Sequence, residues 1–328
     1  MVQISKKIAL LHRYPEHCIK ETNAAFPYLQ DKGVDVLTFK SFDRLGSGGK
    51  FWKSLLWVFY APLLVWGKGY DILYLDDSYP FYPALVRLVS PKSKIVLRLG
   101  DLHLMYYCSG LAYGFLHFFE KIGWRCADKI LAISSPMAEY VSKEIGRLVE
   151  VVLDPVEEND FRRSFSNHGT VMFHGVLTKN KNIDILIEAA KKLPSVIFII
   201  LGDGPDRERL EKKAPSNVIF KGWIHFKVIP RHISTCAVGV ALRSNNPGNE
   251  YVVTSPFLQY GVMGKPCLVT RRKVFGNYKW QFEGVEEMVE KLKLLLKRPQ
   301  EGLKLREYVL ANHSAEKIGG ELWSALSS

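Results

Sequence analysis

Gly169-Thr-Val-Met-Phe-His-Gly-Val-Leu-Thr-Lys-Asn-Lys-Asn-Ile-Asp-Ile-Leu-Ile-Glu-Ala-Ala190, followed by Phe198-Ile-Ile-Leu-Gly-Asp-Gly-Pro205, is the stretch that decides the fold. An apolar, β-rich run ends at Gly175. A loop carrying Lys179 and Lys181 follows, then an amphipathic helix. A second apolar strand, Val196 to Leu201, ends in Gly202-Asp-Gly-Pro205. In an open α/β sheet, ligands bind beyond the carboxyl ends of the strands, at glycine turns and helix N-termini. Lysines in such a loop can neutralise a diphosphate, so the stretch reads as a phosphate site.

The same β-α alternation extends outward in both directions. Upstream, short runs rich in Ile, Leu and Val at Lys7–His12, Val34–Phe39, Asp71–Leu75, Lys94–Leu99, Lys129–Ile133 and Val149–Leu153 do not alternate in polarity. That pattern predicts strands buried on both faces of a parallel sheet. Helix-length segments separate them: Glu21–Asp31, Phe51–Trp66, Pro80–Leu88, Tyr106–Ala127 and Pro136–Ile145. Downstream, strands are expected at Thr170–Phe173, Val196–Leu201, Val218–Phe220, Val238–Leu242 and Cys267–Thr270. Helices are expected from Asn182–Lys192 through Ala315–Leu326. With 328 residues the chain is long enough for two domains. The polar stretch Asp154–His168 reads as the crossover between them. The expectation is an α/β protein with domains at 1–154 and 155–328, the last helix being a candidate to pack back on the first domain.

Hydrophobic residues make up 47% and charged residues 24%, as in a globular protein with full cores. The formal charge of +12 fits anionic partners. The Lys and Arg are spread along the chain, with no Cys/His zinc spacing and no helix-turn-helix, which speaks against nucleic acid. Five cysteines are far apart, with no Cys-x-x-Cys pair, and read as free thiols in a reducing compartment. The segment Met1–Arg13 turns strand-like too soon for a signal peptide, so the chain is expected in the cytoplasm.

Ser54–Gly67 is the longest uncharged apolar run, and its 14 residues fall short of the about 20 that span a bilayer. Pro62 interrupts it, and Lys53 and Lys68 flank it. It reads either as a buried helix or as an interfacial one, with Trp52, Trp57, Tyr60 and Trp66 at headgroup level on an anionic membrane surface. The aromatic-rich Met105–Phe119 admits the same two readings.

Four ordered blocks carry a family resemblance: Gly175…Lys181-Asn-Ile-Asp-Ile-Leu-Ile-Glu-Ala189; Leu201-Gly-Asp-Gly-Pro205; Asn217-Val-Ile-Phe-Lys-Gly-Trp223; and Tyr260…Gly264-Lys-Pro266. Together they resemble the donor domain of GT-B glycosyltransferases, in particular the retaining group (family 4) that includes sucrose, glycogen and lipid-linked-glycan enzymes. In the first half, Tyr70-Asp-Ile-Leu-Tyr74, Ala127–Ser135 and Val152–Phe161 fall where that family has corresponding blocks.

The resemblance implies two Rossmann-like domains facing across a cleft, the second holding a nucleotide-sugar and the first an acceptor. It implies retaining transfer of a hexosyl group from a UDP- or GDP-sugar to a glycan or lipid-linked acceptor. It places Lys181 on the donor diphosphate, with Gly175 and Lys179 in the same loop. Gly202 and Gly204 would keep the wall open beside the nucleotide. Trp223 and Ile224 would lie at the base, where an indole either stacks or joins the core. At the carboxyl end of a first-domain strand it implies Asp101 and His103 near the reacting carbon.

The chain departs from that pattern twice. Val176 stands five residues before the lysine, where the family has an Arg; His174, Lys179 or Arg243 are the candidates to supply that charge. The family also has two acidic residues eight apart. Here the second position is Gln259, which hydrogen-bonds ribose without charge assistance. The first is Tyr251, with Glu250 one residue earlier, able to reach the sugar only if Asn245–Asn249 is reshaped. No Asp-x-Asp metal site is present, and the expected chemistry needs neither a metal nor another cofactor. The acceptor-side loop Arg13–Thr22 lacks the family's Gly-rich turn. A non-catalytic sugar- or lipid-binding protein on this fold, or an epimerase using the same cleft, also accommodates these residues. A dehydrogenase does not, because no Gly-x-Gly-x-x-Gly follows the first strand.

Overall fold

The computed structural model describes residues 6–12, 24–38, 50–76, 79–156, 158, 161 and 169–328, with side chains from Leu56 onward in the helix that begins at Lys50. The loop Arg13–Thr22, Cys18, the side chains of Trp52 and Lys53, and most of the 154–168 connection lie outside these residues. The chain divides into two compact units, Met1–Pro155 with Ala315–Ser328, and Val156–Ser314.

In the first unit the apolar runs form β1 (Ile8–His12), β2 (Asp35–Thr38), β3 (Ile72–Asp76), β4 (Lys94–Leu99), β5 (Lys129–Ala132) and β6 (Glu150–Val151). They make one parallel sheet in the order β2-β1-β3-β4-β5-β6. All five residues of β1 and of β3 are buried, as the non-alternating pattern requires. Side chains of successive residues point to opposite faces. Ile8, Leu10, Ile72, Tyr74, Val96 and Leu131 share a cluster with Phe26 and Leu29 of α1 (Phe26–Asp31) and with Ile318, Leu322 and Leu326 of α13 (Ala315–Ser327). On the remaining helices, α2 (Lys50–Val65) packs on α3 (Tyr82–Val89), and α3 on α5 (Gly110–Cys126).

The helix expected over Tyr106–Ala127 is two. Chain extended at Cys108 and Ser109, then Gly110 at φ +58°, separates α4 (His103–Tyr107) from α5. Helix α6 (Ser135–Ile145) shows clear start and stop signals. Ser134 accepts a hydrogen bond from the Met137 amide at 3.3 Å, Pro136 sits in the first turn, and Gly146 ends the helix at φ +69°.

The second unit repeats the plan with β7 (Val171–His174), β8 (Phe198–Leu201), β9 (Val218–Gly222), β10 (Val238–Ala241), β11 (Cys267–Thr270) and β12 (Gln281–Phe282). Their order is β12-β11-β10-β7-β8-β9, all parallel. The strand direction of travel reverses between β7 and β10, the place where a doubly wound sheet opens a crevice for a ligand. In the first unit that point lies between β1 and β3. The second-unit helices are α7 (Asp184–Lys192), α8 (Arg207–Lys213), α9 (Ile229–Thr235), α10 (Ser255–Val262), α11 (Gly284–Leu296) and α12 (Glu301–His313).

Helix α10 is locked at the switch point by one aromatic. Gly239 of β10 has no side chain, and a Cβ there would fall inside the Tyr260 ring. Tyr260 fills that space, fully buried, and donates its hydroxyl proton to the Met172 carbonyl of β7 at 2.9 Å. Burying a ring of this size contributes about 1.5–3 kcal/mol. It also sets the position of the adjacent Gln259.

Candidate nucleotide-sugar site

At the carboxyl ends of β7, β8 and β9 the loops are tied together by backbone hydrogen bonds. The Gly175 amide donates to the Leu201 carbonyl (3.0 Å), the Gly202 amide to the Gly222 carbonyl (2.7 Å), and the Leu177 amide to the Asp203 carbonyl (2.9 Å). Gly202 and Gly204 sit at φ +143° and +157°, where L side chains are strained. A Cβ on Gly202 would overlap the Gly175 carbonyl oxygen, and one on Gly204 the Leu177 backbone. Each glycine makes room for a neighbouring segment of backbone, so the loops after β7 and β8 approach closely.

Lys179–Lys181 forms a single 3-10 turn, Asn182 takes a left-handed φ of +50°, and α7 begins only at Asp184. Lys181 therefore closes a turn before the helix rather than starting it. Its charge reaches the end of β7. Burial, with Lys181 adding to it, pushes the His174 imidazole down to about 3. His174 is thus neutral near pH 7 and supplies no replacement for the family's Arg. Lys179 is exposed, and Val176 at the Arg position is 56% exposed.

The turn carrying Lys181 is stapled from the β10 side. Asn180 accepts from the Ser244 hydroxyl (2.8 Å) and from the Asn249 side-chain amide (2.9 Å), while its carbonyl accepts from the Ser244 amide (2.8 Å). Asn249 is fully buried and also donates to the Ser244 carbonyl at 3.0 Å. This loop is held further by Arg272, whose guanidinium donates to the carbonyls of Arg243 (3.0 Å) and Ser244 (2.6 Å) and to Asn245 Oδ1 (2.8 Å). Sequence reasoning missed Asn180, Asn249 and Arg272. The signal available was the polar, Pro/Gly-containing run Ser244–Asn249, a loop that must find partners for its own backbone.

Glu250 is occupied in the same scaffold. Its carboxylate accepts from the Lys273 amide at 2.9 Å and lies 3.7 Å from Arg272 Nε. Beside it a cavity of about 600 Å³ is lined by Arg271, Arg272, Lys273, Lys279 and Lys291 with Glu283. The surroundings of Glu250 are therefore cationic.

Several buried polar atoms around the switch point have no hydrogen-bond partner: His174 Nε2, Gln259 Oε1, Asn249 Oδ1 and Arg243 Nε. Buried polar groups are nearly always paired, so these atoms are open to water or to a polar ligand. Trp223, directly after β9, is 70% exposed and meets His225 edge-on at 5.9 Å. It is not a core residue. Ile224 packs against the cluster that holds Tyr260.

In the first unit, Asp101 follows β4 and His103 opens α4. The His103 ring stacks on Tyr79 at 5.0 Å, nearly parallel. The structure adds a buried network that sequence reasoning missed. His12 Nδ1 lies 2.6 Å from Asp76 Oδ2, at the ends of β1 and β3, the switch point of this sheet. Arg98 donates to Asp76 Oδ1 at 2.8 Å and to Asp154. The Arg98 guanidinium is held charged: burial opposes the charge, but Asp154 and Asp76 outweigh it. An Arg inside the apolar strand Ile95-Val-Leu-Arg-Leu99 was the available signal.

Among the described residues no cluster of His, Cys, Asp and Glu is arranged for a metal ion, and no helix is long and apolar enough to cross a membrane.

Two doubly wound parallel sheets, the second with glycine-tight loops and a lysine at its switch point, define a GT-B architecture. Residues 168–298 match the family model for glycosyl transferases group 1. That stretch is similar to the group 1 glycosyltransferases, and the chain as a whole has the fold of a GT-B protein. No curated protein sequence matches it. Among solved structures, sucrose-phosphate synthase from Thermosynechococcus elongatus superimposes with a TM-score of 0.76 at 15% identity, covering 98% of this chain and 99% of that one. Anabaena HepE, in complex with UDP and glucose, gives 0.72 at 16% identity, covering 98% and 100%. The lipopolysaccharide outer core galactosyltransferase WaaB gives 0.67 at 15%, covering 98% and 100%.

Proposed function

We propose that the chain is a retaining glycosyltransferase that moves a hexosyl group from a nucleotide-sugar, a UDP- or GDP-sugar, to a glycan or lipid-linked acceptor in the cytoplasm. The observation that carries this reading is Lys181. Its turn is braced from two sides at the switch point of the second sheet, and its charge reaches the end of β7. A diphosphate leaving group needs a fixed cation where negative charge develops, and Lys181 on its braced turn is the candidate for it. HepE holds UDP and glucose, and WaaB is a galactosyltransferase, which favours a UDP-hexose.

In the step proposed, the bond between the sugar's anomeric carbon and the diphosphate oxygen breaks, and its electron pair leaves with the nucleoside diphosphate. The acceptor hydroxyl oxygen bonds to the same face of that carbon, and its proton passes to the departing phosphate. No carboxylate nucleophile is involved. Gln259, with an unpaired buried Oε1, accepts from a ribose hydroxyl. Trp223 offers an exposed face to the base. Asp101 and His103 are the candidates for the acceptor side.

The second reading, sugar-nucleotide binding without transfer, is favoured by exposed Val176 and by Gln259. Release of UDP or GDP from a panel of nucleotide-sugars separates the two. Turnover abolished by Lys181→Ala supports the enzyme; binding with no turnover for any donor supports the binding protein. Retention is read from the anomeric configuration of the product by NMR, and inversion would overturn it.

A further inference from the structure

We propose that the cavity beside Glu250 binds an anionic saccharide, a sugar ring carrying a carboxylate or a phosphate, at a place separate from that of Lys181. The inference goes beyond the transferase reading and does not depend on it.

The cavity lies at the carboxyl end of the second sheet, on the β11–β12 side of its switch point. Arg271, Arg272 and Lys273 follow β11 directly, Lys279 stands just before β12, and Lys291 belongs to α11. Glu250 comes from the loop after β10, and Glu283 directly follows β12. Five cations and two carboxylates thus line about 600 Å³. That volume is within the range of about 300–1,000 Å³ typical of small-molecule sites, so it holds a molecule rather than a bare ion. None of the lining residues is aliphatic, and an apolar ligand finds no matching surface there.

Part of this charge is structural. Arg271 donates to both oxygens of Glu287, at 2.8 and 3.0 Å, and Lys291 lies 2.8 Å from the same carboxylate. The terminal nitrogens of Arg272 are engaged by the carbonyls of Arg271, Arg243 and Ser244. The remainder has no such task. Arg272 Nε, on a side chain only 9% exposed, has no hydrogen-bond partner, and Glu250 stands 3.7 Å away. Burial pushes the Arg272 guanidinium below its usual range, and the charges of Glu250 and Glu283 offset this only in part. Among the described residues neither Lys273 nor Lys279 forms an ion pair; Lys279 Nζ stands 5.1 Å from the centre of the Trp280 ring. A desolvated cation lacking a full counter-charge is costly, so the cavity favours an anion. The two carboxylates decide what carries it. Glu250 accepts from the Lys273 amide at 2.9 Å and keeps further lone pairs, and Glu283 is exposed. Ionised carboxylates accept hydrogen bonds and repel a bare polyanion. A sugar acid or sugar phosphate gives an oxyanion to the cations and hydroxyl donors to Glu250 and Glu283. A neutral sugar lacks the first, and inorganic phosphate leaves most of the volume empty.

Titration calorimetry on the full chain tests this with hexuronates and hexose 6-phosphates of the gluco, galacto and manno series. Neutral hexoses and inorganic phosphate are the controls. At least one anionic sugar should bind about tenfold more tightly than its neutral hexose and than inorganic phosphate. Whether uronates or phosphates lead assigns the anionic group. Lys273→Ala/Lys279→Ala should weaken that binding about tenfold or more. Both side chains are exposed, so the variant should melt close to the wild type. Lys181→Ala should bind the anionic sugar as the wild type does, which keeps failure of this proposal distinct from failure of the transferase reading. Four results would overturn it: no anionic sugar binds, inorganic phosphate binds as tightly, the double variant binds like wild type, or Lys181→Ala abolishes binding.

Discussion

At His174 burial and the Lys181 cation act in the same direction, holding the imidazole at about 3 against the ordinary 6.5. The sign follows directly. Above pH 6.5 the ring is neutral in both folded and unfolded chains and has no effect on stability. As pH falls below 6.5 the unfolded chain takes up a proton that the folded chain refuses, so stability drops by about 1.4 kcal/mol per pH unit down to about pH 3. His174→Gln should remove that slope between pH 6 and 4, read as the difference between wild-type and variant unfolding curves. Equal slopes would mean that the ring is not held neutral. Lys181 was legible as a cation in the loop after β7; its role on a diphosphate came only from the family resemblance and belongs to the proposed function. The neutrality of His174 was not legible, since it depends on burial. Nor was the His12–Asp76–Arg98–Asp154 network, whose members are up to 142 residues apart in sequence and meet only because β1, β3 and β4 lie side by side and the chain beyond β6 brings Asp154 to Arg98.

At the scale of elements, the parallel strands other than β12 were readable from apolar runs, and their observed positions differ mostly at the ends; the two-residue β12, Gln281–Phe282, was not expected. The helix break at Ser109-Gly110 was not foreseen, because an apolar run of that length reads equally well as one helix. The glycine-tight loops make a prediction of contrast. Gly202→Ala drives a Cβ into the Gly175 carbonyl in an already strained conformation. It should destabilise by about 1–3 kcal/mol and weaken nucleotide binding, as the two loops part. Gly320→Ala lies in α13, with nothing near the added methyl and no positive φ, and should stabilise by about 0.5–1 kcal/mol. Chemical denaturation of the pair checks both signs, and a neutral Gly202→Ala would show that the loops do not approach as described.

For the whole molecule, the division of labour rests on charge placement. The second unit gathers Lys181, Arg243, Arg271, Arg272 and Lys273 on the loops after β7, β10 and β11, the side of the sheet where the proposed donor would bind. The first unit keeps its buried charges paired. The most direct measurement is titration calorimetry of UDP-glucose and GDP-glucose into the wild type and Lys181→Ala. Losing one charge-assisted contact of about 1.5–3 kcal/mol corresponds to a dissociation constant about tenfold to a hundredfold weaker. The account predicts that at least one of these donors binds the wild type, that Lys181→Ala weakens it by that factor, and that the melting temperature of the free protein stays the same. Binding of neither donor, or equal binding by the variant, would contradict it.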